Sequence, residues 1–251
     1  GAPGLKVQLA LTERVLNKNV GSSATLSDVT ELMDNTIEYG TRPFSILARH
    51  AFIAIALLKS MVARKLLKEC DVEMIIGSVH TVASKLVEDL TSVAHGALYK
   101  EKFLSIYGHL RPGTYDVLSQ RYDENSDFYI GQLSGNDQLV SPPVTFKLTD
   151  KQRKEISIAL ADEGLNDDVD WVMDYITTAI YAREQAKFYF TKGVSDTLSA
   201  ITKWGKRNSL SRDDISYIDI DSLINNESDK KYLKQQAIIG KEKHLITRAI
   251  N

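Results

Sequence analysis

The stretch "FSILARHAFIAIALLKSMVARKLL", residues 44–67, indicates the fold class of this chain. Its apolar residues are nearly continuous and few charges interrupt them, which is typical of a long helix that is apolar around most of its circumference. Such a helix has to pack against other elements on most of its sides. The sequence therefore predicts a central, largely buried helix over 44–67, with a break in the chain at Pro43 just before it.

The segments on either side carry apolar residues three and four positions apart, which is the helical period. The chain contains only five prolines and 14 glycines, and no alternating strand pattern extends beyond about five residues. Helices are also predicted over 5–16, 25–39, 72–94, 97–107, 151–163, 168–191, 194–207 and 229–250, and a short one begins at Ser211. The predicted fold class is all-α, an irregular multi-helix domain.

Three residue pairs have the spacing of a capping box, in which a hydroxyl and a side chain three residues later satisfy free backbone amides at a helix start. The pairs are Thr25 with Asp28, Thr149 with Gln152, and Ser211 with Asp214. Each pair predicts the first turn of a helix.

The segment "DENSDFYIGQLSGNDQLVSPPVTFK", residues 123–147, has the weakest helical pattern in the chain. Gly, Asn, Asp, Ser and a Pro-Pro pair cluster there, which favours turns. We predict one long irregular excursion over 123–147 and a candidate internal boundary near it. The first four residues, "GAPG", are interpreted as a cloning remnant, so the predicted domain covers 5–251.

Charge and cysteine content limit the partners and the compartment. The net charge is −2, from 31 basic and 33 acidic residues, whereas nucleic-acid binders usually carry a basic excess. Cys70 is the only cysteine, which excludes an intramolecular disulfide and favours a reducing cytoplasm. The longest apolar run, 51–58, is shorter than the roughly 20 residues of a membrane span. We expect a cytoplasmic protein with no nucleic-acid and no membrane partner.

Motifs for nucleotides and metals are absent from the sequence. There is neither a GxxxxGK[ST] nor a GxGxxG phosphate loop, and the five histidines are too scattered for a zinc site. His80 is interpreted as a helical residue, and the acidic group of Asp123, Glu124 and Asp127 as a solvated face rather than a cation site. No cofactor and no metal are predicted to bind this chain.

Two stretches contain candidate site residues. The first, "TRPFSILARH", places Arg42, Arg49 and His50 at the start of the apolar helix, where a buried cation needs a partner. Either Glu38 or a distant acid pairs with them, or they form an anion receptor at the edge of a pocket. From the residues alone both interpretations stay open.

The second stretch is the loop "YGHLRPGTYD", residues 107–116, with "VLSQRYDEN" after it. Glycines permit tight bends and close approach to a ligand, arginine offers a bidentate fork to a carboxylate or phosphate, and histidine titrates near neutral pH. A structural loop whose charges pair internally is the alternative. The candidate residues in this loop are His109, Arg111, Tyr115, Asp116 and Arg121.

The segment "FLSIYGHLRPGTYDVLSQRYDE" resembles the "RYGHRGPGEYDLSSPRW" type of segment in phosphotransferases of the phosphoenolpyruvate synthase and pyruvate phosphate dikinase type. "RPFSILARHAFIAIALLKSMV" and "YAREQAKFYFTKGVSDTLSAITKWGKRNSLSRDDISYIDID" are similar to the middle region of such proteins, so the resemblance covers about 41–221. The loop is most similar to relatives from capsule pathways, among them L-glutamine kinases that phosphorylate the side-chain amide. Rifampicin phosphotransferases belong to the same group.

The resemblance implies an ATP-dependent relay. An ATP-grasp domain, which would bind ATP and Mg²⁺, phosphorylates a histidine on a mobile domain, which delivers the phosphoryl group to a helical acceptor domain. This chain matches only the acceptor domain, so the resemblance implies a fragment that binds a small polar acceptor, works with the other two domains of a larger chain, and is inactive alone. A rifamycin-type acceptor domain and a non-enzymatic helical interaction module are the alternatives.

The resemblance also implies roles for the candidate residues. His109 would act as the base or bond the phosphoryl group, and Arg111 or Arg121 would neutralise its charge. An amino-acid acceptor would need a cation for its carboxylate, from Arg42 or Arg49, and Asp116 for its ammonium group. His50 and Tyr115 complete the predicted binding residues. Leu110 follows His109 where relatives have Arg, which shifts the register of the cation.

Overall fold

A computed structural model describes residues 2–17, 23–134 and 145–250 of the chain. The helices are α1 (Ala2–Thr12), α2 (Leu26–Asn35), α3 (Arg42–Ala63), α4 (Glu69–Gly77), α5 (Val82–Ala94), α6 (Lys100–Tyr107), α7 (Ser126–Ser134), α8 (Asp150–Asp162), α9 (Val169–Arg207), α10 (Arg212–Ser216), α11 (Ile220–Asn225) and α12 (Lys230–Ile250). No strand occurs in these three ranges. The all-α prediction is therefore confirmed.

Helix α9 is the axis of the fold, with 39 residues in one uninterrupted helix. The sequence predicted two helices here, ending at Thr191 and restarting at Val194, and this was wrong. Gly193 does not break the helix but allows close packing, because a Cβ on Gly193 would lie 2.4 Å from Oγ1 of Thr36 and 2.8 Å from Cγ1 of Val15. Glycine lies here because a neighbouring segment crosses α9 at this point.

Three hydrophobic clusters lie along α9. The first joins its N-terminal part to α1, α3, α4 and α8, and the second joins its C-terminal part to α2, α10, α11 and α12. The third lies between α5 and α6 around Leu90, Phe103 and Tyr107, and Phe188 of α9 packs against it. Helix α9 therefore contacts all three clusters, and the loop that follows α6 packs against it.

Helices α2 and α3 form one continuous helical path, joined by a π-helical segment over Thr36–Thr41. The predicted break at Pro43 was wrong. A proline inside an α-helix loses a hydrogen bond and clashes with the preceding turn. Here the wider turn, closed by the Arg42 N–H donating to the Ile37 carbonyl, precedes Pro43, which lies in the first turn of α3.

Helix α3 is buried on one face only, contrary to the prediction of burial on most sides. Leu47, Ala54 and Leu58 are buried in the first cluster, whereas Phe52 and Ile53 are exposed. The helical path Leu26–Ala63 is long and apolar enough, by length and composition, to cross a membrane. The apolar residues of α3 thus exceed what the core uses, and the absence of a membrane partner stays a prediction.

Predictions from short local patterns were confirmed more often than the predicted bounds of long helices. The three predicted capping boxes are all confirmed, at the starts of α2, α8 and α10. The predicted helix 72–94 is instead divided into α4 and α5, and His80 lies in the connection between them rather than in a helix. The predicted irregular excursion 123–147 contains α7, and its residues 135–144 lie outside the described part of the chain.

Candidate functional site

The loop between α6 and α7, residues 108–125, folds back on itself. The N–H of Tyr122 donates to the Leu110 carbonyl at 2.8 Å, and the N–H of Asp123 donates to the Gly108 carbonyl at 3.1 Å. A Cβ on Gly108 would lie 2.3 Å from the Leu104 carbonyl oxygen and 3.0 Å from the Asp123 Cβ, so glycine is required at this close approach. The fold-back brings the start and the end of the loop onto the same side of α9.

Arg111 fastens this loop to α9. It is 7% exposed, and its Nε donates to Ser195 Oγ at 3.1 Å, while Nη2 donates to the Ser195 carbonyl at 3.1 Å and to Ser199 Oγ at 3.2 Å. Its Nη1 donates to the carbonyl of Ser119 at 3.0 Å and to that of Asp116 at 3.4 Å. Hydrogen bonds within the protein engage every nitrogen of this guanidinium, which favours a structural role over contact with a ligand.

His109 contacts the same residue of α9, Ser195, as Arg111 does. Ser195, which accepts from Arg111, donates its own hydroxyl to the His109 carbonyl at 2.6 Å. The His109 ring packs edge-to-face on Phe188, with ring centroids 4.7 Å apart. The side chain is 4% exposed, and its Nε2 is buried without a hydrogen-bond partner among the described residues. Buried polar atoms are usually bonded, so an unpartnered imidazole nitrogen is a functional-site signal.

Burial lowers the pKa of His109 to about 3, because the charged ring would lose its hydration. Asp196 opposes this effect, while Lys192 and Arg121 lower the pKa further and a hydrogen bond to the backbone of Ile106 raises it. The imidazole is therefore neutral at physiological pH. Since the Ile106 backbone takes the N–H of one ring nitrogen, the unpartnered Nε2 carries the lone pair.

His109 lines a cleft of about 480 Å³, which we call the polar cleft. Its walls come from α6, the loop and the C-terminal half of α9. The lining residues are Leu104, Ser105, His109, Arg121, Asp123, Glu124, Lys192, Asp196, Ser199 and Lys203. Three cations and three carboxylates thus face one small space, a combination that suits a ligand bearing both charge signs.

The charges of the polar cleft form a connected network. Arg121 holds Asp123 with two hydrogen bonds, at 2.9 and 2.7 Å, and reaches Asp196 on α9 at 2.7 Å. Asp196 also pairs with Lys192 at 2.5 Å. Burial by itself would lower the pKa of Arg121, but the two carboxylates raise it on balance, so the guanidinium stays charged. The network positions charged groups around His109 before any ligand arrives.

Of the predicted loop residues, two line the polar cleft and three do not. His109 and Arg121 lie together there, and Arg111 lies behind the loop. Tyr115 and Asp116 line a different cavity of about 270 Å³ against α10 and α11. The Asp116 carboxylate accepts the N–H of Leu118 at 2.8 Å, which is a local turn contact.

The candidates on α3 do not join the polar cleft. Arg42 pairs with Glu38, four residues earlier, and both are exposed. Arg49 is exposed, so the predicted buried cation was wrong. His50 Nδ1 lies 2.9 Å from the Tyr175 hydroxyl on the N-terminal half of α9. His109, Arg111 and Arg49 consequently do not converge on one cavity.

Sequence reasoning missed the contribution of α9. Lys192, Asp196, Ser199 and Lys203 line the cleft from a single face of the helix. Their spacing of four, three and four residues is the helical period, so a polar stripe within an otherwise apolar helix was the available signal.

The acidic residues that were considered for a cation take separate basic partners. Asp123 pairs with Arg121, Glu124 with Arg212, and Asp127 with Lys100. No group of three or more His, Cys, Asp or Glu residues within the described ranges is arranged to hold a metal ion.

Comparisons with known proteins gave no relatives: no family model matches this chain, and neither curated proteins nor solved structures contain a match.

Proposed function

We propose that this chain is the acceptor-binding domain of an ATP-dependent phosphotransferase that works through a phosphohistidine relay. One observation carries the proposal: a neutral, buried His109 with an unpartnered Nε2 lies in the wall of a small cleft that contains charges of both signs. The resemblance of the segment 103–124 to phosphoenolpyruvate synthase-like enzymes supports it independently. The acceptor is a small polar metabolite, with L-glutamine as the first candidate.

The residues suit the chemistry of transfer. The N–P bond of an incoming phosphohistidine breaks, a bond forms between phosphorus and the acceptor oxygen or nitrogen, and the acceptor loses a proton. Nε2 of His109 accepts that proton, and the electron pair of the broken N–P bond stays on the imidazole of the donor histidine. The negative charge of the arriving phosphoryl group favours protonated imidazole, so the histidine becomes a better base as the donor approaches.

Cations stabilise the transferring group, which carries charge on its oxygens. Lys192 and Lys203 project from α9 into the cleft, and Arg121 faces them from the loop. Asp123 and Glu124 also line the cleft, and the ammonium group of an amino-acid acceptor would share them with Arg121 and Arg212. ATP and Mg²⁺ would bind the ATP-grasp domain, which the resemblance places elsewhere in a larger protein.

Calorimetric titration of this chain with polar metabolites, beginning with L-glutamine, tests the binding half of the proposal. We expect binding that His109→Gln and Lys192→Met abolish, and that Arg49→Met on the exposed face of α3 leaves unchanged. Absence of binding by every metabolite, or binding that ignores His109→Gln, would contradict the proposal.

The transfer half is tested by supplying the other domains. The chain is mixed with ATP, Mg²⁺ and the ATP-grasp and phosphohistidine domains of a phosphoenolpyruvate synthase-like protein, and ³¹P NMR follows the product. A phosphorylated acceptor that requires His109 is expected. Binding without transfer under these conditions would favour a non-enzymatic binding module.

A further inference from the structure

A second cavity of about 480 Å³ lies next to the polar cleft, and we call it the aromatic cleft. It is formed by α6, the start of α5 and the middle of α9. The lining residues are His80, Thr81, Val82, Lys85, Ser105, Ile106, Tyr107, Tyr181, Gln185, Phe188, Tyr189 and Lys192. Four of them are tyrosine or phenylalanine, which makes this cavity chemically different from its neighbour.

The two clefts are adjacent. Ser105 and Lys192 line both of them. Phe188 lines the aromatic cleft and packs on His109, which lines the polar cleft. A ligand whose reacting group lies at His109 would therefore have the aromatic cleft beside it, on the side of Lys192.

We propose that the acceptor is an amphipathic molecule, with a charged head in the polar cleft and an aryl or apolar arm in the aromatic cleft. This rests on the proposed function and narrows its substrate class. Each cleft has the volume of an ordinary small-molecule site, roughly 300–1,000 Å³, so the head alone would fill only one of the two. Aromatic walls favour a flat arm through stacked and edge-to-face contacts.

Lys192 acquires a specific place in this arrangement. It pairs with Asp196, which lines the polar cleft, and it also lines the aromatic cleft. In the proposed arrangement the ammonium group, which is paired with Asp196, also contacts the head, and the aliphatic stem contacts the beginning of the arm. Lys192 is the residue at which the two parts of the ligand meet.

Three probes test the inference by calorimetry and ligand-observed NMR. L-Glutamine supplies the head, p-nitroacetanilide supplies the arm, and L-γ-glutamyl-p-nitroanilide joins the two. We expect the joined probe to bind at least about tenfold more tightly than either part, since linking two contacts makes the second one intramolecular.

Variants test whether the higher affinity of the joined probe arises in the aromatic cleft. Val82→Trp fills the aromatic cleft, and Tyr181→Ala removes part of its wall at a side chain that is 40% exposed and so is tolerated by the fold. Both are expected to reduce the advantage of the joined probe to less than about threefold and to leave L-glutamine binding unchanged. Val7→Trp, at an exposed position on α1, is the matched control and should keep the full advantage.

The outcomes separate the two proposals. If L-glutamine binds but the joined probe gains nothing, or gains equally in Val82→Trp and Tyr181→Ala, the amphipathic acceptor is wrong and the acceptor domain stands. If the arm alone binds as tightly as the joined probe, the clefts are independent sites and the inference is also wrong. If neither L-glutamine nor the joined probe binds, the amphipathic acceptor is wrong, and the acceptor domain is also wrong only if every other polar metabolite fails to bind.

Discussion

The two halves of α9 are buried in different ways. The N-terminal half packs with residues such as Val172, Ile176 and Ala179, which fill space between helices. The C-terminal half also buries Gly193, Ser195, Thr197 and Ser199, which are small or polar. Apolar burial therefore stabilises both halves, and the second half adds close approach and hydrogen bonds to the loop that contains His109. One helix serves as core and as the floor of a candidate site.

The largest expected effect comes from breaking the polar half. Arg111→Ala leaves Ser195, Ser199 and two loop carbonyls without their buried donor, and we expect a loss of about 3–5 kcal/mol in the free energy of unfolding, measured by urea denaturation. Arg49→Ala, an exposed arginine on α3, is the control and should change little. A loss below about 1 kcal/mol for Arg111→Ala would show that the hydrogen bonds do not hold the loop.

The apolar half should respond through lost packing instead. Ile176 is fully buried, and Ile176→Ala is expected to cost about 2–4 kcal/mol, with ligand binding in the polar cleft retained. Ile158→Ala, at an exposed position on α8, is the matched control. Loss of ligand binding in a folded Ile176→Ala protein would mean that the two halves are not separable.

Lowering the pH should destabilise the region where the loop with His109 packs on the C-terminal half of α9. Burial lowers the pKa of native His109 to about 3, whereas a histidine in the unfolded chain has a pKa of about 6.5. Between these values the unfolded chain binds a proton that the native protein excludes. The contribution of His109 to the free energy of unfolding is therefore constant above about pH 6.5. Below that pH it falls by about 1.4 kcal/mol per pH unit, until the pH reaches the native pKa.

Urea denaturation at about pH 7.5 and about pH 5 should show the His109 contribution as a loss of about 2 kcal/mol. His109→Asn removes the titrating group, so this share of the pH dependence should disappear. Phe188→Leu keeps the histidine and should keep the dependence at a lower overall stability. An unchanged difference between the two pH values in His109→Asn would place the pH sensitivity elsewhere.

The smallest expected effect concerns helix packing at Gly193. Gly193→Ala places a methyl group against Thr36 and Val15, and overpacking of about 1–3 kcal/mol outweighs the gain of about 1 kcal/mol in helix propensity. Gly131→Ala in α7, where a Cβ meets nothing within 4 Å, is the control and should be stabilising or neutral. Stabilisation by Gly193→Ala would show that α9 and the π-helical segment can separate without cost.

Features determined by neighbouring residues were predictable from the sequence. The capping boxes at Thr25, Thr149 and Ser211 depend on pairs three residues apart, so the chain reveals them directly. The uninterrupted course of α9 was not predictable, because a glycine in a helix is explained only by what packs against it. Gly193 faces Thr36, which is distant in sequence.

The candidate site also contains residues that were predictable from the sequence and residues that were not. His109 and Arg121 lie in one compositionally unusual loop, and both line the polar cleft as that loop indicated. Lys192 and Asp196 were missed because they come from a helix far along the chain. Arg111 was selected for its charge, but its burial and its hydrogen bonds to Ser195 follow from the loop meeting α9, which composition does not reveal.

The π-helical segment over Thr36–Thr41 determines where this chain can tolerate the deletion of one residue. A π turn contains one residue more than an α-helical path between the same points, so the segment behaves as a single-residue insertion that keeps the faces of α2 and α3 in phase. A deletion elsewhere in α3 would rotate all later side chains by about 100°. Deletion within 36–41 would instead restore a regular helix, and the chain should accept it once Pro43, which would then lie in a helix interior, is also replaced.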